Sequence, residues 1–138
     1  MRAAVMRLFC KGKIHAATVT EARLDYEGSV TIDADLVAAA GMVPFEIVQI
    51  TNTANGTRWK TYVIAAPAGS GTICLNGPPA RHFHPGDRVI ILSEALLAEP
   101  EVARAIARVV FVDGQNRVTN VVVHHLADEI AQIPTPPA

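Results

Sequence analysis

The pair Gly28-Ser29 is the first place in this sequence where residue types allow unusual chemistry. Glycine reaches backbone angles closed to other residues, and a strained Gly-Ser bond can set the serine hydroxyl against the preceding carbonyl. Attack by that oxygen exchanges the amide for an ester. Elimination across the serine then frees the glycine carboxylate and leaves a dehydroalanine. Hydrolysis of that group releases ammonia and leaves a pyruvoyl cap. A Gly-Ser pair is also an ordinary turn, and spacing alone does not separate the two. A second group is Gly77, His82 and His84, with His124-His125 as a further source of ligands. Two histidines at alternate strand positions share a face and suit a metal. The acidic ligand such a site needs is missing, since Asp87 and Glu94 fit poorly, and His82-Phe83-His84-Pro85-Gly86 reads better as a turn before a strand. Cys10 and Cys74 show no paired metal spacing and read as reduced, buried thiols.

Short strands must position these residues. β-Branched runs occupy residues 14–20, 29–32, 46–51, 58–65, 72–75, 88–92, 107–112 and 117–123. Turn signals separate them at Asn55-Gly56, Gly69-Ser70-Gly71, Asn76-Gly77-Pro78-Pro79 and Pro85-Gly86-Asp87. Asn-Gly between two strand-like runs signals a hairpin. So many short strands in one small domain predict a mainly β chain, a compact barrel or sandwich. Residues 33–41 read as a short helix, with Asp33 as N-cap and Gly41 just past its end. Residues 94–105, rich in Ala, Leu and Glu, read as a second helix, begun or interrupted at Pro100. The proline-rich tail, residues 130–138, reads as disordered.

The 138 residues point to a single domain, large enough to fold without disulfide staples. Aromatic residues make up only 5%, so Val, Ile, Leu and Ala must form the core. The 12 basic and 13 acidic residues give no electrostatic case for nucleic acid or an anionic membrane as partner. The N-terminus lacks the long apolar region and cleavage site of a signal peptide. No run approaches the roughly 20 apolar residues of a membrane span. The expected location is the cytoplasm.

Two blocks of motifs carry a resemblance. In the first stand Lys13-Ile14-His15, Tyr26 two residues before Gly28-Ser29, Ile32-Asp33-Ala34-Asp35-Leu36 and Ala39-Ala40-Gly41. In the second stand Asn55-Gly56 with Arg58 and Thr61-Tyr62, then Gly69-Ser70-Gly71, Asn76-Gly77, and Gly86-Asp87 before a Val/Ile strand. Order and spacing resemble the pyruvoyl-dependent aspartate 1-decarboxylases over residues 1–92 and match less closely beyond. The resemblance implies a small double-psi β-barrel, cleaved by itself into residues 1–28 and 29–138. It implies a homotetramer with active sites between subunits, and the decarboxylation of L-aspartate to β-alanine. The cofactor would be the pyruvoyl group made from Ser29, in place of pyridoxal phosphate and without a metal. Cleavage would be spontaneous or draw on a maturation factor.

The resemblance also assigns roles. Ser29 and Tyr62 would be catalytic, the phenol delivering a proton to the substrate carbon after carbon dioxide leaves. Arg58 would hold a carboxylate with two parallel hydrogen bonds. That carboxylate should be the side-chain one, because stabilising the departing one favours the ground state. Lys13 would orient a carboxylate, and His15, two residues on, would share its face. Thr61 would serve both cleavage and substrate binding. Since Thr61 and Tyr62 face opposite ways on a regular strand, a loop or bulge would reconcile their roles. Asn76 and Gly77 would open a turn whose backbone N–H groups can bind a carboxylate. Tyr26 would support the cleavage site. The sequence departs from the family at Pro78-Pro79, usually Ala-Ala, which removes two N–H donors from the substrate-binding turn. Thr51 stands where an aromatic is common, removing an apolar wall. Two other readings remain: the same barrel left uncleaved as a binding or assembly module, and a histidine-rich metal-binding barrel.

Overall fold

Alternating apolar and polar residues build one sheet. The computed structural model describes residues 5–137. Its strands are Met6–Thr18 (β1), Glu21–Arg23 (β2), Ser29–Asp33 (β3), Ile47–Asn52 (β4), Arg58–Ala66 (β5), Ile73–Asn76 (β6), Arg88–Ala98 (β7), Ile106–Val112 (β8) and Val118–His125 (β9). Two short helices, Ala34–Ala39 (α1) and Leu126–Ala131 (α2), and two 3-10 turns, Pro78–Arg81 and Glu99–Arg104, complete the elements. The strand order is β2-β6-β3-β5-β4-β7-β1-β8-β9. Three pairs are parallel, β2–β6, β3–β5 and β1–β8, and the others are antiparallel. The ladder leaves β2 and β9 at its ends and surrounds one core of Ile, Val and Leu with Phe83. This is the mainly β, small barrel-like fold expected from the sequence.

The local signals behave as their chemistry dictates. Asn55-Gly56 joins β4 to β5 as a hairpin, with Thr51 opposite Arg58 and Gly56 at φ +75°. Asp33 caps α1 by accepting the Asp35 N–H at 2.8 Å. The same carboxylate also accepts from the Gly69 and Gly71 N–H groups, at 3.1 and 2.8 Å. One cap thereby anchors the Gly69-Ser70-Gly71 turn to the entrance of the helix.

The helix expected over residues 94–105 does not form. β7 continues to Ala98, because residues 94–98 pair with the outer half of β1, from Cys10↔Glu94 to Met6↔Ala98. Ladder hydrogen bonds override the helical propensity of Ala, Leu and Glu. Only a 3-10 turn follows, with Pro100 in its first turn, where no N–H is needed. Ile130 and Ala131 close α2, and the Ile133 N–H bonds to the Ile130 carbonyl at 2.9 Å. Cys74 is buried as expected, but Cys10 is exposed on β1.

Candidate active site

β3 begins where an exposed loop dives into the sheet. Tyr26, Glu27 and Gly28 are exposed, while Ser29 is completely buried. The Ser29 hydroxyl donates to the Glu27 carbonyl at 3.1 Å and accepts from Asn76 Nδ2 at 2.9 Å. Strand register makes this possible, since Ser29 pairs with Asn76 across the β3–β6 ladder. Asn76 Nδ2 also donates to Thr31 Oγ1 at 2.9 Å. Cys74 Sγ stands 3.2 Å from Asn76 Oδ1. Burial, then the Glu21 carboxylate, pushes the Cys74 thiol up to about 11, so it stays protonated and donates to that oxygen. The Asn76 amide is thereby fixed with its NH2 toward Ser29.

Gly77 follows directly, at φ +78° and ψ −145°. A Cβ there would lie 2.9 Å from Gly28 Cα and from the Tyr26 carbonyl oxygen. The Asn76-Gly77 turn therefore lies flush against the Tyr26–Gly28 backbone. The Gly77 N–H is already bonded to the Arg23 carbonyl at 2.8 Å, so it is not the free carboxylate donor anticipated for this turn. Pro78 and Pro79 open the 3-10 turn that follows, where missing N–H groups leave nothing unpaired. Pro78 Cδ approaches to 3.9 Å of the position a Gly28 Cβ would take.

On the other side of β3 lies β5. Val30 pairs with Val63 in parallel register, so Ser29 and Tyr62 are the residues just before that pair on adjacent strands. Arg58, four residues from Tyr62, shares its face. β5 runs in unbroken register against β4 through Thr61 and Tyr62. No bulge reconciles these two side chains: Thr61 is buried toward the core and half-buried Tyr62 faces the other way. Thr51 sits directly across from Arg58, so its small side chain leaves room beside the guanidinium.

Lys13 and His15 are not joined to this group by any strand pairing. They lie half-buried on β1, which pairs with β7 and β8 only. The His15 ring meets Phe111 edge-on at 5.6 Å. The histidines proposed as metal ligands have other engagements. His84 Nδ1 lies 3.8 Å from Asp87 Oδ2, and His124 Nδ1 lies 2.9 Å from Glu129. Among the described residues, no three His, Cys, Asp or Glu side chains converge on a metal site.

A cavity of about 340 Å³ lies beside Asn76, lined among others by Glu21, Arg23, Tyr26, Thr31 and Cys74. Sequence reasoning missed Thr31 and Cys74. The signal was strand alternation: each stands two residues from a named site residue, Ser29 or Asn76, and so shares its side of the sheet.

Comparison with known proteins fits this geometry. The aspartate decarboxylase family model matches residues 5–119, well past the point where the motif match thins. A protein of Dehalococcoides mccartyi named aspartate 1-decarboxylase is 52% identical over 80% of this chain and 90% of its own length. One of Neisseria meningitidis with the same name is 50% identical over 86% of this chain and 93% of its own. A third, of Pelotomaculum thermopropionicum, is 52% identical over 80% and 84%. The chain belongs to the aspartate decarboxylase family.

Proposed function

We propose that this chain cuts itself between Gly28 and Ser29 and turns Ser29 into a pyruvoyl group. The mature protein then decarboxylates L-aspartate to β-alanine in the cytoplasm, a step of pantothenate synthesis. The observation that carries this reading is the buried Ser29 hydroxyl, held between Asn76 Nδ2 and the Glu27 carbonyl at the end of an exposed Gly28 loop. A serine placed for surface hydrogen bonding would have no need of burial or of an oriented amide.

Each residue then has a physical task. The Asn76 N–H donates to Ser29 Oγ, which favours negative charge on that oxygen as it attacks the Gly28 carbonyl. Gly77 holds the Gly28 backbone in place by contact. Thr61, on the strand next to β3, assists the cleavage. The pyruvoyl group, once formed, supplies a ketone that binds the substrate amine and takes up the electron pair released as carbon dioxide leaves. Arg58 holds the side-chain carboxylate with two parallel hydrogen bonds. Tyr62, on the same face, delivers the proton to the substrate carbon. Pro78 and Pro79 stiffen the turn bordering the site, and Tyr26 supports the cleavage loop.

Lys13 and His15 complete the site from a neighbouring copy in a homotetramer. Two features support this: β1 shares no ladder with β3, β5 or β6, and exposed Leu8, Ile47 and Leu96 line one common cavity. Exposed apolar clusters of this kind mark subunit contacts.

Intact-protein mass spectrometry tests the reading. Fragments 1–28 and 29–138, the larger lighter by one ammonia than a serine-started chain, are expected, with Ser29→Ala remaining whole. Tyr62→Phe is expected to cleave fully and fail to turn aspartate over to β-alanine. A wild-type chain that stays whole after prolonged warming, even with host extract added to supply a maturation factor, would overturn the proposal.

A further inference from the structure

The loop between α1 and β4 holds an aromatic residue in a backbone state that aromatics avoid. Phe45 has φ +69° and is 74% exposed. Left-handed backbone in a bulky residue costs energy and persists only where its surroundings impose it. The surroundings here are identifiable. The Phe45 N–H donates to the Val63 carbonyl at 2.8 Å, and the Val63 N–H to the Glu46 carbonyl at 3.1 Å. These two bonds clamp the loop to β5 one residue past Tyr62. The Glu46 carboxylate fixes the loop from the other side, accepting from the Val43 N–H, Lys11 Nζ and the Ser93 hydroxyl.

Within this chain the strain does not serve burial, because Phe45 remains largely exposed. What the ring does is stack on Tyr62, with centroids 5.2 Å apart and planes within 7°. We propose that Phe45 is a positioning residue for Tyr62: its ring covers one face of the phenol, restricts its rotation and keeps water from that side. The proposal rests on the reading above, in which the Tyr62 hydroxyl delivers the proton. A phenol free to rotate would present that hydroxyl to the substrate carbon for a smaller fraction of the time.

The test uses the full chain with 3-fluorotyrosine at its two tyrosines, Tyr26 and Tyr62. Fluorine resonances are assigned with Tyr62→Phe. Phe45→Gly suits the backbone angle, so folding and self-cleavage are expected to persist while the stack is lost. The Tyr62 resonance should then shift and that of Tyr26 should not. The kcat for aspartate should fall roughly tenfold, part of the ~10²–10⁴ that a positioned proton donor contributes, with KM nearly unchanged. Phe45→Trp, which restores an aromatic ring without adding a third fluorotyrosine, should move the resonance back toward its native position and recover kcat. An unmoved Tyr62 resonance would overturn the stack. A shifted resonance with wild-type kcat, or a loss falling on KM instead, would overturn the positioning role. A cleaved wild-type protein inactive toward aspartate would overturn the function reading, while the resonances would still report on the stack.

Discussion

Gly77→Ala is expected to damage the fold and self-cleavage together. Two costs add. Backbone angles of φ +78° and ψ −145° lie in a region reserved for glycine, at about 1–3 kcal/mol for other residues. The new Cβ would also stand 2.9 Å from Gly28 Cα and 3.0 Å from Gly28 N. These are backbone atoms that cannot swing aside, and overpacking of this kind costs about 1–3 kcal/mol. The expected loss is therefore about 2–6 kcal/mol, or about 8 °C or more in melting temperature for a chain of this size. Gly56→Ala separates the two contributions. Its φ is +75°, yet no atom lies within 4 Å of an added Cβ, so only the left-handed backbone cost of about 1–2 kcal/mol applies. Melting is measured in a Ser29→Ala background, so that cleavage does not enter. Cleavage of the otherwise native chain is followed by mass. Displacing Gly28 by up to an ångström should slow it roughly hundredfold. A Gly77→Ala chain that melts no lower than Gly56→Ala and cleaves at the native rate would refute the argument that this turn braces the scissile loop.

Asp33→Ala should cost about 2–4 kcal/mol, because it strands the N–H groups of Asp35, Gly69 and Gly71 together; faster amide exchange at Gly69 and Gly71 would locate the damage. Cys74→Ser, which keeps a donor to Asn76 Oδ1, should cleave nearly as the native chain does. Cys74→Val, which frees the amide to flip, should cleave several-fold more slowly, and equal rates for both would remove the thiol from the account. Burial alone would raise the Glu46 carboxyl, but hydrogen bonds from Ser93 and Lys11 outweigh it and hold the group below its ordinary range. Its contribution to stability is thus complete above about pH 4.3, the ordinary value, and is lost as pH falls through the lower folded value. Glu46→Gln should accordingly lower the urea midpoint at neutral pH and lessen its drop on acidification, and parallel pH curves for the two proteins would contradict this. The slope should not vanish, because Asp87, Glu99 and Asp113 are also held low.

Local chemistry was legible in the sequence wherever one residue type has few alternatives. Asn55-Gly56 fixed a hairpin, Asp33 and Gly41 bounded a helix, and β-branched runs located the strands. The chemistry of Gly28-Ser29 was legible only through its neighbours, since a glycine before a serine is common. The same local reasoning failed at residues 94–105, where helical propensity lost to pairing with a strand more than eighty positions earlier in the chain. Propensity is a property of a segment, and a ladder partner is a property of the fold.

What belongs to tertiary structure alone is which groups meet. Sequence alone named Ser29 and Asn76 and left open why they belong together. The β3–β6 register sets them opposite one another, and the Cys74 thiol turns the amide so that its N–H faces the hydroxyl. Sequence suggested a free N–H at Gly77; the fold spends it on Arg23 and uses the missing side chain instead, as space for the Gly28 backbone. Phe45 carried no signal at all, being one apolar residue in a loop, until the fold pinned that loop to β5 and laid its ring on Tyr62. Residue identity determines what chemistry a group can perform. Distance and orientation decide whether it does so, and both are set by contacts between residues far apart in the chain.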